Sequence, residues 1–156
     1  HLNAHMGFSW EQIGIMFTIM LLPFALFELP IGKLADNKYG EKEILTIGLV
    51  IMGLSTLGIS FLTTHSFIVW TVFLFLTRTG ASFVEITSDS FFFKQVNQDQ
   101  TDEISIYRTT RPLGFIIGPL VATLALRFLP YNYIFLLLGI TVIFGAHWSL
   151  AIKDTR

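Results

Sequence analysis

The sequence contains no cysteine and few charged residues. The absence of cysteine among its 156 residues excludes disulfide bonds and thiolate chemistry. Charged residues make up 13% of the chain, against about 25% in a typical soluble domain. A formal net charge of −1 gives no reason to expect nucleic acid as a partner. The low share of charged residues indicates a protein whose surface meets something other than water.

Apolar residues are correspondingly abundant in the chain. They account for 53% of the chain, which includes 16 phenylalanines. Five apolar segments each approach the ~20 residues that a helix needs to cross the hydrocarbon core of a bilayer. The sequence therefore predicts an all-α, multi-pass membrane protein whose partner is the lipid bilayer. The five predicted spans are residues 10–31, 44–63, 67–93, 109–128 and 131–152.

Basic residues lie mainly on one side of the predicted membrane. The connections 32–43 and 94–108 are long and charged, whereas those at 63–66 and 129–131 are short. Basic residues accumulate on the cytoplasmic side of membrane proteins. We therefore expect both long loops and the C-terminus to be cytoplasmic, in a plasma (inner) membrane. Only Arg127 lies on the other side, and the basic residues on the loop side are Lys33, Lys38, Lys42, Lys94, Arg108, Arg111, Lys153 and Arg156.

The first long connection, GKLADNKYGEKE, has a family pattern. A loop between two membrane helices that reads Gly-x-Leu-Ala-Asp, then a basic residue, glycine and a second basic residue, resembles the signature loop of the major facilitator superfamily (MFS). One residue more than usual separates Asp36 from Gly40, and Glu41 stands where a basic residue is common. The matching residues are Gly32, Leu34, Ala35, Asp36, Lys38, Gly40 and Lys42.

The resemblance implies an architecture. The chain is then five of the six helices of one MFS half-bundle, identified as the second half without its first helix. Two such halves enclose a mid-membrane site and expose it to each side in turn by rocking. The expected partners are the missing half of the same transporter and a small-molecule substrate, with no cofactor and no metal.

The same resemblance gives the first loop a role as a cytoplasmic latch that breaks and remakes as the halves rock. The predicted latch residues are Gly32, Asp36, Lys38, Gly40 and Lys42. For Glu41 and Glu43 in the same loop, the favoured interpretation is solvated charge that only fixes orientation.

The fourth span carries a small-residue stripe within RPLGFIIGPLVA, residues 111–122. Gly114 and Gly118, spaced by four, let another helix approach closely, and Pro119 removes a backbone hydrogen bond. Pro112 is expected in the first turn of this helix, where a missing N–H costs nothing. The segment is similar to the Gly-Pro motif of proton-coupled antiporters, although the final glycines of that motif are absent. A packing seam is the alternative interpretation.

The third span contains three charges that a lipid-facing helix would not tolerate. Arg78, Glu85 and Asp89 fall within about 40° of one another on a helix of 3.6 residues per turn. Charge inside the bilayer is costly, so we expect the stripe to face a polar interior along the substrate and ion pathway. Arg78 is expected to bind an anionic group or a carboxylate of another helix. Glu85 is the candidate proton carrier, and Asp89 is expected to pair with the loop cations or Arg108.

Three further charges flank the cytoplasmic ends of the spans. Glu28 is expected to gate the cavity or to pair with Lys33 or Arg111. Arg108 and Arg111 open the fourth span and are expected to snorkel to the membrane surface or to bind Asp36 or Asp89.

The sequence thus predicts a transporter of a small organic solute by alternating access, with antiport against protons as the first choice. A facilitative or symport carrier of a sugar or organic anion is the alternative. An enzyme is not expected, because no nucleophile elbow, phosphate-binding loop or metalloprotease motif occurs. An intramembrane enzyme remains a lesser alternative.

Overall fold

The computed structural model describes residues 1–35, 40–97 and 100–151. Within these ranges the regular structure consists of five α-helices and no strands, which confirms the predicted all-α class. The helices are α1 (Trp10–Leu34), α2 (Glu41–Ser60), α3 (Phe67–Gln95), α4 (Thr101–Ala125) and α5 (Tyr131–Ser149).

Four of these helices, α1, α2, α3 and α5, are long and apolar enough to cross a membrane. The fourth predicted span, 109–128, overlaps α4 over residues 109–125, and α4 is not among the described helices that are apolar enough by the same criterion. The first half of α4 carries Asp102, Glu103, Arg108 and Arg111, which make this helix more polar than the other four.

The start of α4 differs from the expectation. The helix begins at Thr101, so the second long connection is shorter than the predicted 94–108. Pro112 is the twelfth residue of α4, and its predicted place in the first turn is wrong. The reason is the pair of acidic residues, Asp102 and Glu103, in the actual first turn, where negative charge stabilises a helix N-terminus.

Helix α1 begins as its sequence predicts. The Ser9 hydroxyl accepts a hydrogen bond from the Gln12 backbone N–H at 3.2 Å, and the Gln12 side chain accepts one from the Ser9 N–H at 3.0 Å. This reciprocal capping box satisfies two of the unpaired backbone donors at the helix start.

Glycines set how closely the helices pack. Helix α2 packs against both α3 and α5, and α1 packs against α3. A Cβ atom added at Gly80 of α3 would lie 2.6 Å from the Gly48 carbonyl oxygen of α2. On the other side of α2, a Cβ atom added at Gly53 would lie 2.5 Å from Ile143 Cγ1, and one added at Gly139 of α5 would lie 2.6 Å from Leu57 Cγ. The backbones of α2, α3 and α5 therefore approach each other to a degree that side chains at these positions would prevent.

The bundle has two chemically different ends. The charged end is where α1, α3 and α5 finish and where α2 and α4 begin. The opposite end includes residues 61–66 and 126–130. A hydrophobic cluster near the opposite end contains Phe8, Met16 and Trp70.

Helix α4 lies at the periphery, because none of its residues is buried. Its apolar residues, such as Phe115 and Leu120, are largely exposed, as expected of side chains that face lipid or a further part of a protein.

Candidate functional site

An arginine joins α3 and α4 near the charged end. Arg111 donates from Nη1 to Glu85 Oε1 at 2.8 Å and from Nη2 to Asp89 Oδ1 at 2.6 Å. Tyr107 donates its hydroxyl hydrogen to the same Asp89 oxygen at 2.7 Å. Glu85 and Asp89 lie one turn apart on α3, as do Tyr107 and Arg111 on α4. Two side chains of one helix therefore face two of the other. We call these four residues the α3–α4 charge cluster.

Aromatic packing supports this cluster. The Tyr107 ring stacks on Phe92 of α3, with centroids 3.9 Å apart and planes 7° from parallel. Tyr107 lies in the polar first half of α4, before the predicted membrane span. Burial, together with the hydrogen bond to Asp89, raises the pKa of Tyr107 to about 12. The phenol therefore remains protonated at physiological pH and acts as a hydrogen-bond donor.

The ion pairs of the cluster are accessible rather than sealed. The side chains of Arg111, Glu85 and Asp89 are 45%, 43% and 35% exposed, respectively. Ion pairs exposed to this degree contribute about 0–1 kcal/mol each, because solvent screens them. The α3–α4 charge cluster can therefore open and close at little cost.

A third carboxylate faces the cluster. Glu28 of α1 lines a cavity of about 300 Å³ together with Glu85 and Asp89. Among the described residues, no ion pair joins Glu28 to either Lys33 or Arg111. The structure thus brings three acidic side chains from two helices around one cavity, with one arginine bound to two of them.

Arg78 lies apart from Glu85 and Asp89, although all three occupy one stripe of α3. It lines a separate cavity of about 350 Å³ between α1, α2, α3 and α5. Met52 and Ala81 line both this cavity and a neighbouring one that contains Glu85 and Arg111. The predicted stripe is therefore divided: Arg78 lines a cavity nearer the opposite end, whereas Glu85 and Asp89 line cavities nearer the charged end.

The predicted loop latch is described only in part. Asp36 and Lys38 lie outside the described residues. Gly40 precedes α2 with a φ of +85°, which favours glycine because it has no Cβ atom. Gly32 lies within α1 and has open space around its Cα, and Lys42 is half-buried in the first turn of α2.

Glu41 is the residue that the sequence interpretation missed. The sequence favours solvated charge at this position, but only 1% of Glu41 is exposed, and it forms an ion pair with Lys94 of α3. The expectation is wrong because α2 begins at Glu41 itself, which packs the carboxylate against the end of α3. The available signal was that Glu41 departs from the basic residue common at this position of the loop pattern.

The remaining predicted residues lie on α4. Arg108 is exposed and lines a shallow cavity with Asp89, but forms no ion pair within the described residues. A Cβ atom at Gly114 or Gly118 would meet nothing within 4 Å, so this stripe contacts no described helix. Pro119 lies inside α4, seven residues after Pro112.

Four helices that are long and apolar enough to cross a membrane indicate a multi-pass integral membrane protein. A family model described as Major Facilitator Superfamily matches residues 1–156. The chain therefore belongs to this superfamily of membrane transporters, which confirms the membership inferred from the loop 32–43. A search of curated proteins and a search of solved structures each found no match.

Proposed function

We propose that the protein moves a small organic solute across the membrane by alternating access, in exchange for protons. In this proposal the described helices form most of one six-helix half, and a second half completes the pathway. The charged end faces the cytoplasm of a plasma (inner) membrane, in accord with its basic residues.

The observation that carries the proposal is the position of Arg111 between Glu85 and Asp89. Helix α4 buries none of its residues, so these polar contacts and the Tyr107–Phe92 stack are its main attachment to α3. A helix held mainly by solvent-accessible ion pairs can separate and return without disruption of a packed core. That is the property required of a gate at one end of a transport pathway.

Protonation supplies a physical way to open this gate. A protonated Glu85 or Asp89 loses the negative charge that Arg111 binds, so the ion pair weakens when a proton arrives. Glu28 faces the same cavity and adds a third carboxylate that repels the other two when all are ionised. Proton uptake at this cavity therefore favours the separated arrangement of α3 and α4.

The test uses the protein expressed from its complete reading frame and reconstituted in proteoliposomes that contain a pH-sensitive dye. Pools of small organic acids, amines and sugars are added outside, and the internal pH is followed. Antiport predicts that one pool drives protons out as the solute enters. Solute counterflow without any proton movement would instead favour a facilitative carrier.

A symport or facilitative carrier of an organic anion is the second candidate, and Arg78 favours it. This arginine offers a positive charge to a cavity inside the bundle. Symport predicts proton movement in the same direction as the solute in the dye assay. Absence of counterflow and proton flux with every pool would contradict transport itself.

A further inference from the structure

We infer that the cavity around Arg78 binds an organic carboxylate with an apolar body, and that this is the class of solute carried. The inference rests on the proposed transport function and specifies its substrate. It depends on three observations: the composition of the cavity, the hydrogen bonds of its threonines, and the lack of a partner for Arg78 among the described residues.

The cavity has the size and lining of a small-molecule site. Its volume of about 350 Å³ falls in the range typical of ligand pockets, roughly 300–1,000 Å³. Four helices contribute to its walls, which include Phe17, Met52 and Phe135. Of its described lining residues, only Thr56, Thr77 and Arg78 are polar. An apolar pocket with few polar groups binds ligands that have a large apolar part and one polar head.

The two threonines already have hydrogen-bond partners. Thr56 donates to the Met52 carbonyl oxygen at 2.7 Å. Thr77 approaches both the Phe73 carbonyl oxygen, at 2.9 Å, and the Ser55 hydroxyl oxygen, at 3.0 Å. Hydrogen-bonding capacity toward a ligand therefore comes mainly from Arg78, whose guanidinium carries five N–H donors and no acceptor.

Arg78 forms no hydrogen bond and no ion pair with any described residue. Arg111, by contrast, binds two carboxylates. One of them, Glu85, lies on the same stripe of α3 as Arg78 but pairs with Arg111. Arg78 is the twelfth residue of the 29-residue α3, well inside a predicted membrane span. A charge at that depth is costly without a counter-ion.

A carboxylate satisfies this arginine better than other heads do. Guanidinium and carboxylate form two parallel charge-assisted hydrogen bonds. An ammonium head would be repelled. A sugar would bring many hydroxyls into a cavity whose threonine donors are already used, so most would lose hydrogen bonds on leaving water. The geometry thus favours organic anions over sugars, the two solute classes that the sequence leaves open for a symport or facilitative carrier.

Calorimetric titration of the protein in lipid nanodiscs, expressed from its complete reading frame, tests the head and the body separately. The probes are phenylpropanoate, its uncharged amide, and acetate. Because the site requires both parts, we expect the amide and acetate to bind at least about tenfold more weakly than phenylpropanoate. Equal binding of phenylpropanoate and its amide would overturn the inference.

Variants then locate the site. Arg78→Gln is expected to abolish the preference for phenylpropanoate over the amide, and Arg78→Lys to reduce it, because lysine lacks the planar donor pair. Arg127→Gln is the matched control, since Arg127 is exposed near the opposite end. Unchanged phenylpropanoate binding by Arg78→Gln would refute the site.

A cavity-filling variant keeps the test valid if Arg78→Gln does not fold. Val142→Phe occupies space in the cavity without touching its charge, so phenylpropanoate affinity should fall while acetate affinity should not. If Val142→Phe binds both phenylpropanoate and acetate as the wild type does, the cavity around Arg78 is not the binding site. If phenylpropanoate binds at Arg78 but is not moved in proteoliposomes, the transport proposal is refuted and the binding site stands. If other solutes are transported and phenylpropanoate does not bind at Arg78, only the proposed substrate class is refuted.

Discussion

Arg111 binds two carboxylates that lie one helical turn apart, and this arrangement determines how protonation of one carboxylate affects the link between α3 and α4. If one carboxylate is protonated, the guanidinium retains its bond to the other, so the link between α3 and α4 weakens in steps. Glu85 is the more exposed of the two carboxylates, whereas Asp89 also accepts a hydrogen bond from Tyr107. Glu85 is therefore the better candidate for exchange of protons with water.

Glu85→Gln removes the charge at that position at every pH. We expect transport by this variant to lose most of its dependence on pH, because the Arg111–Glu85 bond no longer responds to protons. The measurement is the initial rate of solute uptake in proteoliposomes at several pH values. Glu43→Gln, at an exposed position of α2, is the control and should keep the wild-type profile. A Glu85→Gln variant with the wild-type profile would remove Glu85 from the coupling mechanism.

Glu41 illustrates a different role for a carboxylate, that of attaching the start of α2 to the end of α3. Glu41→Gln replaces a buried charge paired with Lys94 by a neutral amide. Loss of this charge-assisted bond should lower the free energy of unfolding by about 1–3 kcal/mol. Thermal unfolding in detergent measures it, with Glu43→Gln again as the control. Equal melting temperatures for the two variants would show that the Glu41–Lys94 pair contributes nothing.

At the scale of elements, α2 is the central support because it packs closely against both α3 and α5. Gly80 makes the closest of these approaches to backbone atoms, since an added Cβ atom would lie 2.5 Å from the Met52 backbone nitrogen. Backbone atoms cannot turn aside as a flexible side chain can. Helix α4, by contrast, has open space around both glycines of its stripe.

Substitution of alanine at these two kinds of glycine should therefore give opposite results. Gly80→Ala forces α2 and α3 apart and should cost about 1–3 kcal/mol of stability, as overpacking does. Gly118→Ala meets no described atom and should leave stability unchanged or slightly raise it, because alanine favours the helix. Melting temperatures of the two variants test this. A large loss of stability in Gly118→Ala would indicate that another part of the protein packs on this stripe.

The helices could be predicted from apolar segments, but their ends could not. Helix α2 begins three residues before the predicted 44, and α4 begins eight before the predicted 109. In both cases acidic residues occupy the first turn, where they favour a helix although their hydropathy resembles that of a loop. Hydropathy reports which residues avoid water and not which residues cap a helix.

The positions of the candidate site residues within each helix could be predicted, but the contacts between helices could not. The spacing of Glu85 and Asp89 places them on one face of α3, and the structure agrees. The choice of Arg111 rather than Arg108 as their partner depends on how α4 is turned relative to α3, which is a tertiary property. Met52 of α2 and Ala81 of α3 line both the Arg78 cavity and the neighbouring Glu85 cavity. The separation of Arg78 from Glu85 therefore depends on the position of α2, which the sequence of α3 alone does not contain.

At the scale of the whole molecule, the described helices differ in how firmly they are held. Helices α2, α3 and α5 share close glycine contacts, whereas α4 is attached through the α3–α4 charge cluster and one aromatic stack. Motion of α4 relative to α3 is therefore the least costly rearrangement of the described bundle. The central claim is that this motion depends on the charge of Glu85 and Asp89.

A distance measurement between α3 and α4 tests this claim most directly. Spin labels are placed at Gln95→Cys and Ser105→Cys, two exposed positions at the charged end of a segment without native cysteine, and any cysteine outside residues 1–156 is replaced by serine. The account predicts a distance distribution in nanodiscs that shifts toward longer values at acidic pH. Arg111→Gln should give the longer distances at every pH, while Arg108→Gln should behave as wild type. A distribution that is the same at acidic and neutral pH, and unchanged by Arg111→Gln, would contradict it.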